Sequence, residues 1–158
     1  HTLLTTHTQE NDSLAAVDDG NLLVWFYPEV VYMDRELLPS TLSKQAGADW
    51  GKTAEIVEFR NTRVQVRRSD GATVCAWVSP YPSILEKYCA AAEWEPALRL
   101  CRYVKSTELW ACLAAMSIYG RELNAADVAY AALAQVEKVQ FILHIKELPT
   151  NEGRKQFR

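Results

Sequence analysis

The pattern of hydrophobic positions changes once along the chain, at the segment Ser79-Pro80-Tyr81-Pro82. Before it, apolar residues form short runs joined by Asp-Gly and Asn turns, which is typical of β-strands. After it, alanine-rich segments with helical spacing continue almost to Leu148. The two prolines fit this boundary, because proline lacks a backbone donor and disfavours helix in the residue before it. The pattern predicts a β half, residues 1–79, and a helical half, residues 80–158.

Turn sequences in the β half predict antiparallel strands. Asp18-Asp19-Gly20-Asn21 separates two apolar runs, and such residues favour a hairpin because a type I′ turn needs positive φ. Asp70-Gly71 and Asn61-Thr62 divide residues 54–78 in the same way, which predicts a three-stranded meander there.

The alternation within this meander predicts its two faces. Val64 and Val66 fall on one face of the middle strand, opposite Arg63, Gln65 and Arg67. The last strand is apolar on both faces, so we expect both to be covered. Stacked propeller blades and a sandwich interior both meet this requirement.

The stretch from Asp34 to Thr53 has no clear period. Arg35–Leu38 could form one helical turn before Pro39, and a long surface loop is predicted for the remainder.

Five helices are predicted in the helical half, over about residues 82–91, 94–104, 107–119, 124–134 and 136–147. They repeat with a period of 29 positions, so that Trp94 falls on Leu123 and Ala97 on Ala126. Small residues recur where paired helices approach closely. Units of this kind bury their apolar faces only by stacking, so the repeat predicts an α-solenoid. The expected fold class is α+β, with an antiparallel meander followed by stacked helix pairs.

Composition and charge narrow the classes of partner. The 158 residues are 49% hydrophobic and 23% charged, as in a soluble protein with a real core. A net charge of -3 argues against nucleic acid as a partner, since nucleic acid usually selects a basic face. The apolar stretches are far shorter than the ~20 residues of a membrane span, and no leader pattern opens the chain. We therefore expect an intracellular protein that does not insert into membranes.

No constellation of residues predicts catalysis. Cys75, Cys89, Cys101 and Cys112 lie in apolar segments without a C-x-x-C pair, so we expect buried reduced thiols. His144 has no metal-ligating residue three or four positions away. No glycine motif for phosphate is present. We predict no catalytic residue, no metal and no cofactor, and a cysteine-dependent enzyme is the least favoured alternative.

Candidate partner-binding residues come from charge and aromatic content. The arginines of one predicted hairpin form a basic cluster, and the favoured interpretation is a solvated strand face. The alternative is a contact for an acidic partner. Exposed aromatic side chains would be the natural anchors of an interface. On this alternative the candidates are Arg63, Arg67, Arg68 and Trp94.

Several long strings resemble the intraflagellar transport protein 80 family. They are Val31–Leu38, Ser79–Leu85, Trp94–Arg102, Trp110–Met116, Ala129–Ala132 and Lys138–Gln140. The resemblance extends over roughly Asn21 to Leu148 and implies the last strands of a second WD-type β-propeller, followed by the first TPR-like helix pairs.

The resemblance also implies a function. Members of this family are structural subunits of intraflagellar transport complex B, so it implies a non-enzymatic scaffold that binds other subunits of that complex. Apart from the resemblance, a homodimer is a further form considered for such a scaffold. The implied location is the cilium or flagellum, the basal body and the cytoplasm. A vesicle-coat scaffold remains the alternative, by analogy with the propeller-then-solenoid plan of coat proteins.

Overall fold

The computed structural model describes residues 3–5, 13–47 and 49–148. Residues 1–2, 6–12, 48 and 149–158 of the two predicted halves lie outside these ranges. The strands are β1 (Leu3–Thr5), β2 (Leu14–Asp18), β3 (Asn21–Trp25), β4 (Leu42–Ala46), β5 (Glu55–Arg60), β6 (Arg63–Arg67) and β7 (Thr73–Trp77). Two 3₁₀ helices, Pro28–Tyr32 and Arg35–Thr41, separate β3 from β4. The helices are α1 (Tyr81–Ala90), α2 (Trp94–Val104), α3 (Thr107–Tyr119), α4 (Leu123–Ala132) and α5 (Val136–Glu147).

The strands form two antiparallel sheets, each a simple meander. One sheet has the order β1-β2-β3-β4 and the other the order β5-β6-β7. The β2–β3 hairpin is confirmed, with Asp18 paired to Asn21 and with positive φ at both Asp19 and Gly20. The meander predicted over residues 54–78 is confirmed as β5, β6 and β7.

The long surface loop predicted between Asp34 and Thr53 is wrong. The second 3₁₀ helix extends through Pro39 to Thr41, and β4 follows it directly. β4 pairs with β3 along its whole length, yet none of its side chains is fully buried. An edge strand held by the backbone ladder has no hydrophobic period, and the sequence pattern therefore missed it.

The two faces of the β5–β7 sheet differ more than predicted. Val64 and Val66 are fully buried, as expected. Trp77, however, is 66% exposed and Cys75 is also exposed. The expectation that β7 is covered on both faces is wrong, because none of the described residues covers its outer face.

The helical half follows the predicted repeat. The five observed helices match the predicted ranges within two residues at each end. Ala92, Lys105, Arg121 and Ala134 all have φ of 57°, and each lies one or two residues beyond the end of a helix. Ala92 and Arg121 are 29 positions apart, as are Lys105 and Ala134. The backbone therefore repeats with the period of the sequence.

α3 lies at the centre of the helical half. Its residues Ala111–Met116 are all buried, which is typical of a helix surrounded by other elements. It contacts α1, α2 and α4, and it also packs against the second 3₁₀ helix. The strands and the helices therefore share a continuous hydrophobic core. A boundary between residues 79 and 80 stays a prediction.

Candidate interaction surfaces

The first candidate surface is the outer face of β6 and β7, which we call the strand face. The strand register places side chains opposite one another on this face as Arg63 with Trp77, Gln65 with Cys75 and Arg67 with Thr73. Directly opposed side chains in an antiparallel pair lie about 5 Å apart at Cβ. Two predicted arginines and an exposed tryptophan thus form one surface.

The ion pairs of the arginines do not fully compensate the positive charge of the strand face. The Arg63 Nη2 atom lies 3.8 Å from Glu58 Oε2, and both side chains are well exposed to solvent. Such a pair contributes little because water screens it. Arg67 makes no ion pair with any residue that the structure describes. Arg68 lies in the β6–β7 turn, where its Nη2 atom is 3.0 Å from Asp70 Oδ2.

Trp94 lies apart from the arginines, in the helical half. It is half-buried at the start of α2 and packs against the core. A Cβ atom built on Gly120 would lie 2.7 Å from Trp94 Cζ2, so the indole closes over the end of α3. Its environment indicates helix packing, and its role in binding stays a prediction. Trp77 is not one of the four named candidates, but it is an exposed aromatic side chain of the kind predicted to anchor an interface, and β6–β7 pairing places it opposite Arg63.

The second candidate surface is an open groove of about 850 Å³ where the 3₁₀ helices meet the helical half. We call it the junction groove. It is lined by Tyr27, Glu29, Tyr32, Met33, Asp34, Glu86, Ile118, Tyr119, Arg121, Tyr130, Lys138, Phe141 and Ile142. Its volume is in the range of clefts that hold ligands.

Asp34 joins the floor of this groove to two helices. The Tyr130 hydroxyl of α4 donates to Asp34 Oδ2 at 2.8 Å, and Lys138 Nζ of α5 lies 3.1 Å from the same oxygen. The other oxygen, Oδ1, accepts from the Glu36 backbone N–H at 3.2 Å. The Asp34 side chain is only 8% exposed, so these bonds hold a carboxylate largely removed from water.

The contacts around Asp34 also change the pKa values of Tyr130 and Lys138. Burial and the hydrogen bond to Asp34 raise the pKa of Tyr130 above its usual value. Burial alone would lower the pKa of Lys138, but its bonds to Asp34 and Glu36 outweigh that effect and raise it. At neutral pH the junction therefore holds a protonated tyrosine and a charged lysine, both in contact with Asp34.

Three of the four cysteines are unsuited to nucleophilic chemistry. Burial raises the pKa of Cys89 and of Cys101 from 9.0 to about 12, and it also raises the pKa of Cys112. A thiol is a nucleophile only as the thiolate, and these groups stay protonated at neutral pH. Cys75 is exposed on the strand face and Cys89 is half-buried, so the expectation that all four thiols are buried is confirmed only for Cys101 and Cys112.

The raised pKa values of the thiols lead us to expect that the folded protein loses stability in alkali. Unfolded thiols ionise from about pH 9, while the pKa of about 12 keeps Cys89 and Cys101 protonated in the folded state. The unfolded state then binds fewer protons, so the free energy of unfolding should fall between pH 9 and pH 12. Urea unfolding in reducing buffer at pH 8, 9.5 and 11 measures this, and Cys101→Ala should reduce the slope. Equal stability at pH 8 and pH 11 would contradict the prediction.

Other classes of site are not supported among the described residues. No group of three His, Cys, Asp or Glu side chains there is arranged to hold a metal ion, and His144 is exposed on α5. Within the same ranges, every helix is too short or too polar to cross a bilayer.

Comparison with known proteins agrees with this architecture. A family model described as "IFT80 second beta-propeller" matches residues 4–81, and one described as "IFT80/172/WDR35/WDR19 TPR domain" matches residues 109–156. Proteins named intraflagellar transport protein 80 homolog, from Mus musculus and Rattus norvegicus, are 43% and 44% identical to this chain over 141 residues. The alignments cover 89% of this chain but only 18% of each relative. The chain therefore spans about a fifth of the length of these relatives.

Proposed function

Because the chain belongs to the intraflagellar transport protein 80 family, we propose that it is a non-enzymatic scaffold segment of intraflagellar transport complex B. In this role it binds other subunits of the complex and supports ciliary transport and cilium formation. The strands up to residue 79 form the end of a propeller, and the helices from residue 80 begin the solenoid. The proposal places the protein in the cilium or flagellum, at the basal body and in the cytoplasm.

The observation that supports binding most directly is the exposed Trp77 on the strand face. Its side chain is opposite Arg63, and Arg67 lies on the same face. Tryptophan and arginine are among the residue types that most often dominate the energetics of interfaces. The proposed partner surface is therefore an apolar pocket with acidic residues at its rim.

The thiols support a scaffold over a cysteine-dependent enzyme. The raised pKa of Cys101 and of Cys112 leaves both without thiolate character at neutral pH. Cys75 is exposed, but among the described residues no group of three His, Cys, Asp or Glu side chains is arranged to hold a metal ion beside it.

The test measures binding of the 158-residue chain to each subunit of complex B by biolayer interferometry. The double variant Arg63→Glu/Arg67→Glu and the single variant Trp77→Ser should each weaken binding at least tenfold. Arg102→Glu, on the exposed surface of α2, is the matched control and should leave binding unchanged. Arg68→Glu should have a smaller effect, because Asp70 already neutralises that arginine.

Two results would overturn the proposal. One is the absence of binding to any complex B subunit. The other is binding that the strand-face variants leave unchanged while circular dichroism shows that they are folded. Self-association into a homodimer belongs to the same proposal, and light scattering of the unliganded chain measures it.

A further inference from the structure

We propose that the junction groove binds a peptide segment of another protein in which one acidic side chain is flanked by apolar side chains. The site is separate from the strand face and its argument does not depend on a ciliary role. It rests on the exposed rings of the groove and on the one charge there that has no partner among the described residues.

The first argument is the aromatic surface that the groove leaves in water. Tyr32 is 86% exposed, Tyr119 is 75% exposed and Phe141 is 48% exposed, and all three line the groove. They come from a 3₁₀ helix, from the end of α3 and from α5, so the groove gathers them from three elements. Tyrosine, phenylalanine, methionine and arginine are enriched in interfaces, and Met33 and Arg121 complete this set. The groove therefore has the composition of a docking site for apolar side chains.

The second argument is charge complementarity. Asp34 is shared by Tyr130 and Lys138, and Lys138 also lies 3.4 Å from Glu36 Oε2. Glu29 and Glu86 each have an interaction of their own. By contrast, the Arg121 guanidinium makes neither an ion pair nor a side-chain hydrogen bond with any residue in the described part of the chain. The charge that the groove offers to a ligand is thus a single cation, which a carboxylate matches in geometry.

The other carboxylates of the groove set the number of acidic groups in the ligand. Glu29 and Glu86 also line the groove, so among the described residues Arg121 is the one place there where an acidic side chain of the ligand is matched by opposite charge. A run of acidic residues is therefore disfavoured, and one carboxylate facing Arg121 is favoured. Leucine or phenylalanine on either side of it would cover the rings of Tyr119 and Phe141.

The experiment uses the full 158-residue chain and fluorescein-labelled peptides in fluorescence anisotropy. The probe is Gly-Ser-Leu-Phe-Glu-Leu-Ser-Gly. In two comparison peptides its glutamate is replaced by glutamine or by lysine, and in a third its three apolar residues are replaced by serine. We expect the glutamate peptide to bind at least fivefold more tightly than the glutamine peptide, and the serine peptide to show no binding.

Two variants of the protein locate the site. Arg121→Glu should weaken binding of the glutamate peptide at least tenfold and should restore binding to the lysine peptide. Lys105→Glu is the matched control, since Lys105 is also exposed, follows a helix and has φ of 57°, but does not line the groove. It should bind all peptides as the unaltered chain does.

Several outcomes would overturn the inference. They are equal affinity for the glutamate and glutamine peptides, loss of binding with Lys105→Glu as well, and binding abolished by the strand-face variant Arg63→Glu. Concentration-dependent self-association that Arg121→Glu abolishes, without peptide binding, would show that a second copy of the chain occupies the groove instead. These peptide-binding results do not depend on whether the chain binds complex B subunits through the strand face, so the two proposals can fail separately.

Discussion

Replacing Asp34 with alanine should lower the free energy of unfolding by about 3 kcal/mol, because removing one partner of a buried ion pair leaves the others uncompensated. The change removes the acceptor of the Tyr130 hydroxyl and the partner of Lys138. It also removes the side chain that caps the second 3₁₀ helix at Glu36. The Lys138 side chain is 34% exposed, so water can solvate its charge once Asp34 is removed. The expected loss of stability therefore lies at the lower end of the range for breaking buried ion pairs. Urea unfolding followed by circular dichroism measures it.

Glu36→Ala is the matched control for this prediction. Glu36 also contacts Lys138, but its side chain is 75% exposed, so its removal should change the stability by less than about 0.5 kcal/mol. The loss of stability caused by Asp34→Asn should fall between the losses caused by Asp34→Ala and Glu36→Ala, because the amide oxygen still accepts from Tyr130 but carries no charge. A destabilisation by Asp34→Ala no larger than that of Glu36→Ala would show that the junction does not depend on the carboxylate.

The second large effect is expected at Leu113. Its side chain has no exposed surface, and it lies in the middle part of α3, where all residues from Ala111 to Ser117 are buried. Leu113→Ala should therefore cost about 3 kcal/mol, through lost burial and the cavity that remains. Thermal and urea unfolding measure the change.

Leu143→Ala gives the same chemical change at an exposed position of α5, where 45% of the side chain is in water. It should cost less than about 1 kcal/mol. Similar losses for the two variants would mean that α3 is not the centre of the core.

Most elements of the fold could be predicted from short local patterns in the sequence. The turn residues at Asp18–Asn21 and Asp70-Gly71 defined the hairpins, since their backbone requirements are met by a few neighbouring residues. The helical repeat was visible because packing of equal units imposes equal spacing on Ala97 and Ala126. β4 was not visible, because an edge strand of this kind is stabilised by backbone pairing to β3 and not by buried side chains.

The candidate surfaces were predicted less completely, for a physical reason. Arg63 and Arg67 could be placed on one face from strand alternation alone. The hydrogen bond between Asp34 and Tyr130 joins residues 96 positions apart, and no local pattern reports such a contact. The groove beside it depends on the packing of 3₁₀ helices against α-helices, so Arg121 could not be distinguished in sequence from any other exposed arginine.

The packing of the second 3₁₀ helix against α3 has a consequence for the stack of helices as a whole. An array of stacked repeats needs an end unit that shields its first apolar surface from solvent. Here the segment Arg35–Thr41 packs against α3 beside α1, α2 and α4, and Leu37 in that segment is fully buried. The β half therefore gives the array a cap on this side, because it covers surface of α3 that the helices alone would leave in water.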